Sequence, residues 1–359
     1  MTPSPIDVSS RDGRYGVLVA RGARTRLRAV LAEAGITGET VIVSSRRVWT
    51  AQGAHFGRVT PILVADGERA KTLSTVSGLY DALLKARLDR GSTIVAVGGG
   101  VVGDMVGFAA ATFLRGVPLV HVPTTVMAQV DSAIGGKVGV NHATGKNLIG
   151  AFHPPVLVVV DPDALATLSR REFRAGLYEV LKYGVIADDA LLGTLDTLLA
   201  DVLTQRGEAL TDVIAACCRI KAAVVGADEH EHGLRRTLNF GHTVGHALEA
   251  TTGYGRLRHG EAVALGMRAA LSLGVARGVT PPALAARVSA LIARLGPLPS
   301  VADVPAAGVI AAIGFDKKVV NGRLHFVLAA GGGTTTTVTD VSSRELRAAL
   351  APLGIRGRQ

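Results

Sequence analysis

TIVAVGGGVVGDMVGFAAATF (93–113) decides the fold. Thr93 to Val97 is an apolar, largely β-branched run with no polar face, the pattern of a parallel strand covered on both sides of its sheet. Gly98, Gly99 and Gly100 interrupt it, and residues 101–113 resume with helical spacing, Gly107 following one turn on. Glycines there let an anionic ligand approach the backbone, and the unpaired N–H groups of a helix start attract phosphate. The stretch is neither the GxGxxG fingerprint nor a P-loop, since it follows the fourth apolar run and no GKS or GKT succeeds it. Taken alone it fits an anion cradle or a tight turn without ligand.

Outward from this unit, apolar runs at 16–20, 41–45, 61–65, 118–123 and 156–161 predict further strands, with helices at 24–34 and 74–87 between them. That β-α-β layering predicts an α/β nucleotide-binding domain. The character changes near Ser169. Helical patterns follow at 170–186, 190–204, 208–225, 240–251, 259–277, 281–295 and 303–313, then a hairpin of 325–329 with 336–340, then a last helix at 343–352. The expected fold is an α/β N-terminal domain over 1–165 and a mainly α-helical C-terminal domain over 166–359.

Composition narrows the function. The chain carries a formal charge of +10, but its basic residues are scattered and no nucleic-acid-binding pattern is present, so a field that draws in anionic metabolites is expected rather than nucleic acid. Lysine is rare, at eight of 39 basic residues, and seven of the eight sit in or beside polar or glycine-rich motifs. Lysine is a compact point charge with rotatable donors, suited to a small, highly anionic substrate. The two cysteines, Cys217 and Cys218, are adjacent and make no disulfide framework, so a reducing, cytoplasmic setting is expected. The N-terminus lacks signal-peptide character, and the apolar runs are too short for a membrane helix.

Several groups of residues carry chemistry. VDSAIGGKVGVNHATGKNLIG (130–150) places Asp131, Lys137, Asn141, Lys146 and Asn147 among five glycines and reads as a polar ligand-binding loop. Asp66 and Glu68 flank a turn, either as acceptors for a ribose or as solvated carboxylates; Thr124 and Thr125 end a strand, either as cofactor contacts or as a helix cap. Glu179 and Lys182 share a helix face. Arg235, Asn239, His242 and His246 follow at spacings of four, three and four, one stripe if a single helix spans them, and His259 opens the next helix. One carboxylate with two imidazoles is a plausible catalytic zinc set. Glu179, His242 and His259 meet that count, with Glu261 as an alternative carboxylate.

The motifs GGGVVGD (98–104), LRGVP (114–118), PTT (123–125), QVDSAIGGKVGVNHATGKNLIGAFHPP (129–155), EVLKYG (179–184), RRTLNFGHTVGHALE (235–249), HGEAVALGM (259–267) and DKKVVNGRL (316–324) resemble those of the 3-dehydroquinate synthase family of sugar phosphate cyclases. The resemblance implies a homodimeric enzyme with NAD and a zinc ion, or cobalt. It implies conversion of 3-deoxy-D-arabino-heptulosonate 7-phosphate to 3-dehydroquinate by transient oxidation, phosphate β-elimination, reduction, ring opening and aldol closure, the second shikimate-pathway step. It implies Glu179, His242 and His259 on the metal. Asp131, Lys137, Lys182, Lys221, Arg235, Asn239 and His246 are implied around the substrate, with Lys146 and Asn147 beside substrate and cofactor. Arg115 is implied to reach the partner subunit's substrate and Lys318 to approach the substrate. Asp66, Glu68, Lys71, Gly99, Gly100, Asp104, Thr124 and Thr125 are implied at NAD, with Lys137 and Lys146 near it. Two features depart from the family pattern: Ala133 follows Ser132 where many members pair serines, and Ser44-Ser45-Arg46 stands where asparagine or aspartate is common. A related cyclase, or a metal-dependent polyol dehydrogenase, is the alternative.

Overall fold

The computed structural model describes residues 4–11, 13–205, 207–231, 233–314, 319–320 and 323–355. Its contacts divide the chain into two units, Met1–Ser169 with Gln205–Glu229, and Arg170–Thr204 with His230–Gln359.

The first unit is built on a seven-stranded sheet. In chain order come β1 (Ile6–Ser10), β2 (Gly13–Val19), α1 (Leu27–Glu33), β3 (Thr40–Ser45), α2 (Arg46–Gln52), β4 (Ile62–Val64), α3 (Leu73–Lys85), β5 (Thr93–Gly98), α4 (Gly100–Thr112), β6 (Leu119–Pro123), β7 (Lys137–His142), β8 (Gly145–Phe152) and β9 (Leu157–Val160). The sheet order is β1-β2-β9-β6-β5-β3-β4. Only β1 pairs antiparallel; β5 lies in register between its neighbours, with Val95 opposite Ile42 and Val120. Ile94 and Ala96 enter one core with Leu79, Leu83, Met105 and Ala109, while Val95 and Val97 enter the other with Leu27, Val30 and Leu31. Every residue of β5 is buried. Each fully buried Leu or Val contributes about 1.5–3 kcal/mol, so the strand has no solvent face to advertise by alternation. Successive strands fall on opposite sides of β3, β4 on one and β5 on the other. The crevice beyond the carboxyl ends of β3 and β5 is therefore the topological switch point at which doubly wound sheets take ligands.

The polar stretch expected as a loop is ordered in its second half as the β7–β8 hairpin. Val138 and Val140 alternate inward and pack in the core that holds α4, and this burial overrides the polar composition between them. The chain then makes α5 (Arg170–Ala187) and α6 (Asp189–Thr204) in the second unit and returns to the first for α7 (Ala209–Ala227). A single boundary near 165 does not contain this return. α7 is tied to the first unit by Cys218 Sγ donating to the Gln129 carbonyl at 3.4 Å and by a Lys221–Asp131 ion pair.

The second unit continues with α8 (His242–Thr251), α9 (His259–Ala276), α10 (Pro282–Leu295), α11 (Ala306–Gly314), β10 (Val319–Val320), β11 (Arg323–Leu324), β12 (Phe326–Gly331), β13 (Thr334–Val338) and α12 (Ser343–Leu350). The strands form two antiparallel pairs, β10–β11 and β12–β13. α5, α8 and α9 approach so closely that side chains are excluded at the crossings. A Cβ on Gly266 would fall 1.9 Å from the Gly241 carbonyl oxygen, and one on Gly260 would fall 1.8 Å from that of Ala175. No described helix is long and apolar enough to cross a membrane.

Candidate active site

In the second unit, α5 supplies Glu179 and Lys182, α8 supplies His242 and His246, and α9 opens with His259. The stripe expected from Arg235 to His246 is not one helix. Arg235 and Asn239 lie on a 3₁₀ turn, Leu234–Asn239, and Gly241, at φ 79°, separates it from α8. The left-handed conformation breaks the helical register, so only His242 and His246 keep the i, i+4 relation.

Glu179 is fully buried, and its Oε1 lies 3.6 Å from Nε2 of His242 and 3.6 Å from Nε2 of His259. Among the described residues Oε1 accepts no hydrogen bond, an expensive condition for a buried carboxylate oxygen. Both imidazoles are oriented from behind. Nδ1 of His242 is 3.2 Å from the Phe240 carbonyl, and Nδ1 of His259 is 2.9 Å from Glu249 Oε2. A carbonyl or carboxylate oxygen only accepts, so in the neutral ring each Nδ1 carries the proton and the lone pair is left at Nε2, the nitrogen on the side of Glu179. Two atoms about 2.0–2.2 Å from a tetrahedral ion lie roughly 3.3–3.6 Å apart. The three donors, the orphaned oxygen and the fixed tautomers therefore fit a divalent ion. His246 belongs to the same cluster, one nitrogen from each of the three histidines lying within 4.8 Å of the others. Burial works against a charged His259, but the hydrogen bond and charge of Glu249, with the charge of Glu179, outweigh it and raise its pKa.

The alternative carboxylate, Glu261, is committed elsewhere. Its two oxygens accept from Arg171 at 2.6 and 2.7 Å, and Oε2 also accepts the Arg258 N–H. Lys182 is 1% exposed, with Nζ 2.5 Å from Glu179 Oε2. Arg235 is buried, and Asn239 donates to Glu231 Oε1 at 2.6 Å.

The first unit gathers a second group. The buried Lys71 ammonium bridges Asp104 and Asn147 Oδ1. Asn141 donates to Glu68 Oε1 at 2.8 Å and accepts the Asn147 N–H at 2.9 Å, where Asn147 holds φ 55°. Burial raises the Asp104 pKa against the Lys71 charge that opposes it. Gly99 precedes α4 without a side-chain cap. A Cβ there would meet Thr125 Cγ2 at 3.0 Å, and one on Gly100 would meet Ser132 Oγ at 3.1 Å. Bare backbone, the start of a 13-residue helix and the switch-point crevice suit a dinucleotide pyrophosphate. Thr125 caps the following turn by accepting the Ala128 N–H, while Thr124 is buried. Asp131 pairs with Lys221. Lys137 opens β7 and Lys146 lies on β8. Asp66 and Arg115 are exposed and make no side-chain polar contact among the described residues, and Lys318 lies outside those residues. Sequence reading missed Glu249 and placed Asn141 in the ligand-binding loop without naming its partners, Glu68 and Asn147. The signal for Glu249 was present, because residues 242, 246 and 249 share a helix face.

Two family models match in succession, 3-dehydroquinate synthase N-terminal over residues 61–175 and 3-dehydroquinate synthase C-terminal over 176–319. A 3-dehydroquinate synthase of Nostoc punctiforme is 44% identical, covering 97% of this chain and 99% of that one. That of Thermosynechococcus vestitus is 46% identical, covering 94% and 96%. Among solved structures, 2-epi-5-epi-valiolone synthase from Streptomyces hygroscopicus, with NAD⁺ and Zn²⁺ bound, is 31% identical, with a TM-score of 0.87 over 96% of this chain and 98% of that one. With its two family segments and its near-full-length relatives, the chain belongs to the 3-dehydroquinate synthase family.

Proposed function

We propose that the chain converts 3-deoxy-D-arabino-heptulosonate 7-phosphate to 3-dehydroquinate and inorganic phosphate, with NAD and a divalent ion as cofactors. The observation that carries this reading is the convergence of Glu179 Oε1 with two oriented imidazole nitrogens, both 3.6 Å from the oxygen, beside a buried lysine. Glu179, His242 and His259 would hold zinc or cobalt, and the group around Lys71, Asp104, Glu68 and Gly99–Gly100 would hold NAD. When bound, the ion would acidify a substrate hydroxyl and NAD would borrow and return the hydride of the carbon bearing that hydroxyl, so the net reaction breaks a C–O bond to phosphate and forms a C–C bond without net oxidation.

The chain's own residues bind and orient. Lys182, its charge balanced by Glu179, would donate to a substrate oxygen at the metal-holding end. Arg235 suits a carboxylate or phosphate through its planar fork, while Asn239 and His246 offer hydrogen bonds that fix the sugar's hydroxyls. In the first unit Asp131 and Lys221 form a pair that can exchange partners with a substrate hydroxyl or phosphate, and Lys137, Lys146 and Asn147 add donors. Lys318 is assigned to the substrate by motif alone. Arg115 projects from an exposed turn at φ 70° without a side-chain polar partner among the described residues. That supports a homodimer in which it serves the partner's substrate. Both cysteines are buried thiols outside any disulfide, which fits a reducing cytoplasm.

Phosphate release from the heptulosonate phosphate, followed with and without NAD⁺ and a chelator while absorbance at the NADH band is recorded, tests the reading. Release that needs both cofactors with no lasting NADH is expected. Lasting NADH would point to a dehydrogenase, and turnover of sedoheptulose 7-phosphate or glucose 6-phosphate instead would point to a related cyclase.

A further inference from the structure

The second unit contains a buried carboxylate that the proposed donor set leaves unused. Glu249 sits seven residues after His242 on α8, on the face that also carries His246, and is 7% exposed. Its Oε2 meets His259 Nδ1 at 2.9 Å. The two imidazoles that face Glu179 are thus held by different means. His242 is steered by a main-chain carbonyl two residues away, whereas His259, the first residue of α9, is steered by a side chain from another helix.

We infer that Glu249 is a positioning residue for the metal-holding set: by accepting the Nδ1–H of His259 it fixes that ring's tautomer and turns Nε2 toward Glu179 Oε1. The inference rests on the reading that His259 is a ligand. It makes His259 the ligand whose placement depends on one side-chain acceptor. Acceptors behind a ligating imidazole typically change metal affinity by about 10–100-fold when removed.

The test uses the full chain stripped of metal, with zinc affinity read by competition against a chromogenic chelator and ligand geometry read from the visible bands of the cobalt-loaded protein. Glu249→Ala should lower zinc affinity about 10–100-fold and shift the cobalt bands, with Glu249→Leu as the replacement should the alanine variant fail to fold. Glu249→Gln keeps an oxygen acceptor and should recover most of the affinity. Wild-type affinity and unchanged cobalt bands in the alanine or leucine variant would overturn the inference. So would a glutamine variant that loses as much affinity as alanine while its bands stay unchanged. His259→Ala separates the two readings: if it binds metal like the wild type, the ligand assignment itself fails.

Discussion

In the first unit His121 is buried in the sheet, and desolvation together with the His153 charge pushes its pKa down to about 4. In the second unit His259 is also desolvated, but Glu249 and Glu179 face it and its pKa rises. The same side chain is kept neutral by packing in one place and is held by carboxylates in the other. The contrast extends to the groups around them. The first unit presents bare backbone, a lysine shared between Asp104 and Asn147, and hydroxyls. The second presents oriented imidazole nitrogens around an orphaned oxygen. A site for a large dinucleotide requires shape and donors, whereas a site for a small ion requires donors held to fractions of an ångström.

That division can be broken most forcefully at His242. His242→Ala should abolish stoichiometric metal and reduce phosphate release by about a thousandfold or more. NAD⁺ affinity, measured by fluorescence quenching, should stay within about twofold, and a parallel loss of both would erase the distinction. The next largest effect is expected at Lys182. In chelator, Lys182→Met leaves Glu179 buried without its counter-charge and should cost about 3–5 kcal/mol in urea denaturation; saturating zinc should recover much of it, because the ion supplies positive charge at the same carboxylate.

The histidine contrast itself predicts pH limbs of opposite sign. His121 has a depressed folded pKa, so its contribution is complete above about 6.5 and is lost as pH falls toward about 4, roughly 3 kcal/mol in all. His121→Gln should flatten that acid limb in urea midpoints taken between those values. His259, with a raised folded pKa, works the other way in metal-free protein: its contribution is present below 6.5 and lost as pH rises through the folded value. The smallest effect is expected at Lys71. Lys71→Met should weaken NAD⁺ by about tenfold, the worth of one charge-assisted hydrogen bond, and leave metal content unchanged; an altered metal content would show that the two groups are not separate.

Much of this was legible in the sequence because burial left a simple record. The strands at β2, β3, β5, β6 and β9 stand out as mainly apolar runs, and Gly98–Gly100 mark the turn into α4. The hairpin β7–β8 was hidden because the residues that face its core, Val138, Val140, Ile149 and Ala151, are interleaved with glycines and with Lys137, Asn141, Lys146 and Asn147. α2 was hidden because its start depends on Ser45 accepting the Val48 N–H at 3.4 Å rather than on apolar periodicity. The proposed ligand set could be nominated from residue type and spacing. The shared helix face of His242, His246 and Glu249 marks Glu249 as a neighbour of that set, but its pairing with His259, the orphaned Glu179 Oε1 and the commitment of Glu261 to Arg171 are relations between helices that no local pattern encodes.

The return of α7 to the first unit bears on how the chain is made. When residue 169 leaves the ribosome, the sheet still lacks the helix that carries Lys221, and translation must run a further 60 residues, to 229, before that returning segment is complete. At about 5–20 residues per second that interval is roughly 3–12 s. Throughout it, the surface later covered by α7 is open to chaperones, and a nascent fragment truncated at 169 should be captured by them where one truncated beyond 229 is released.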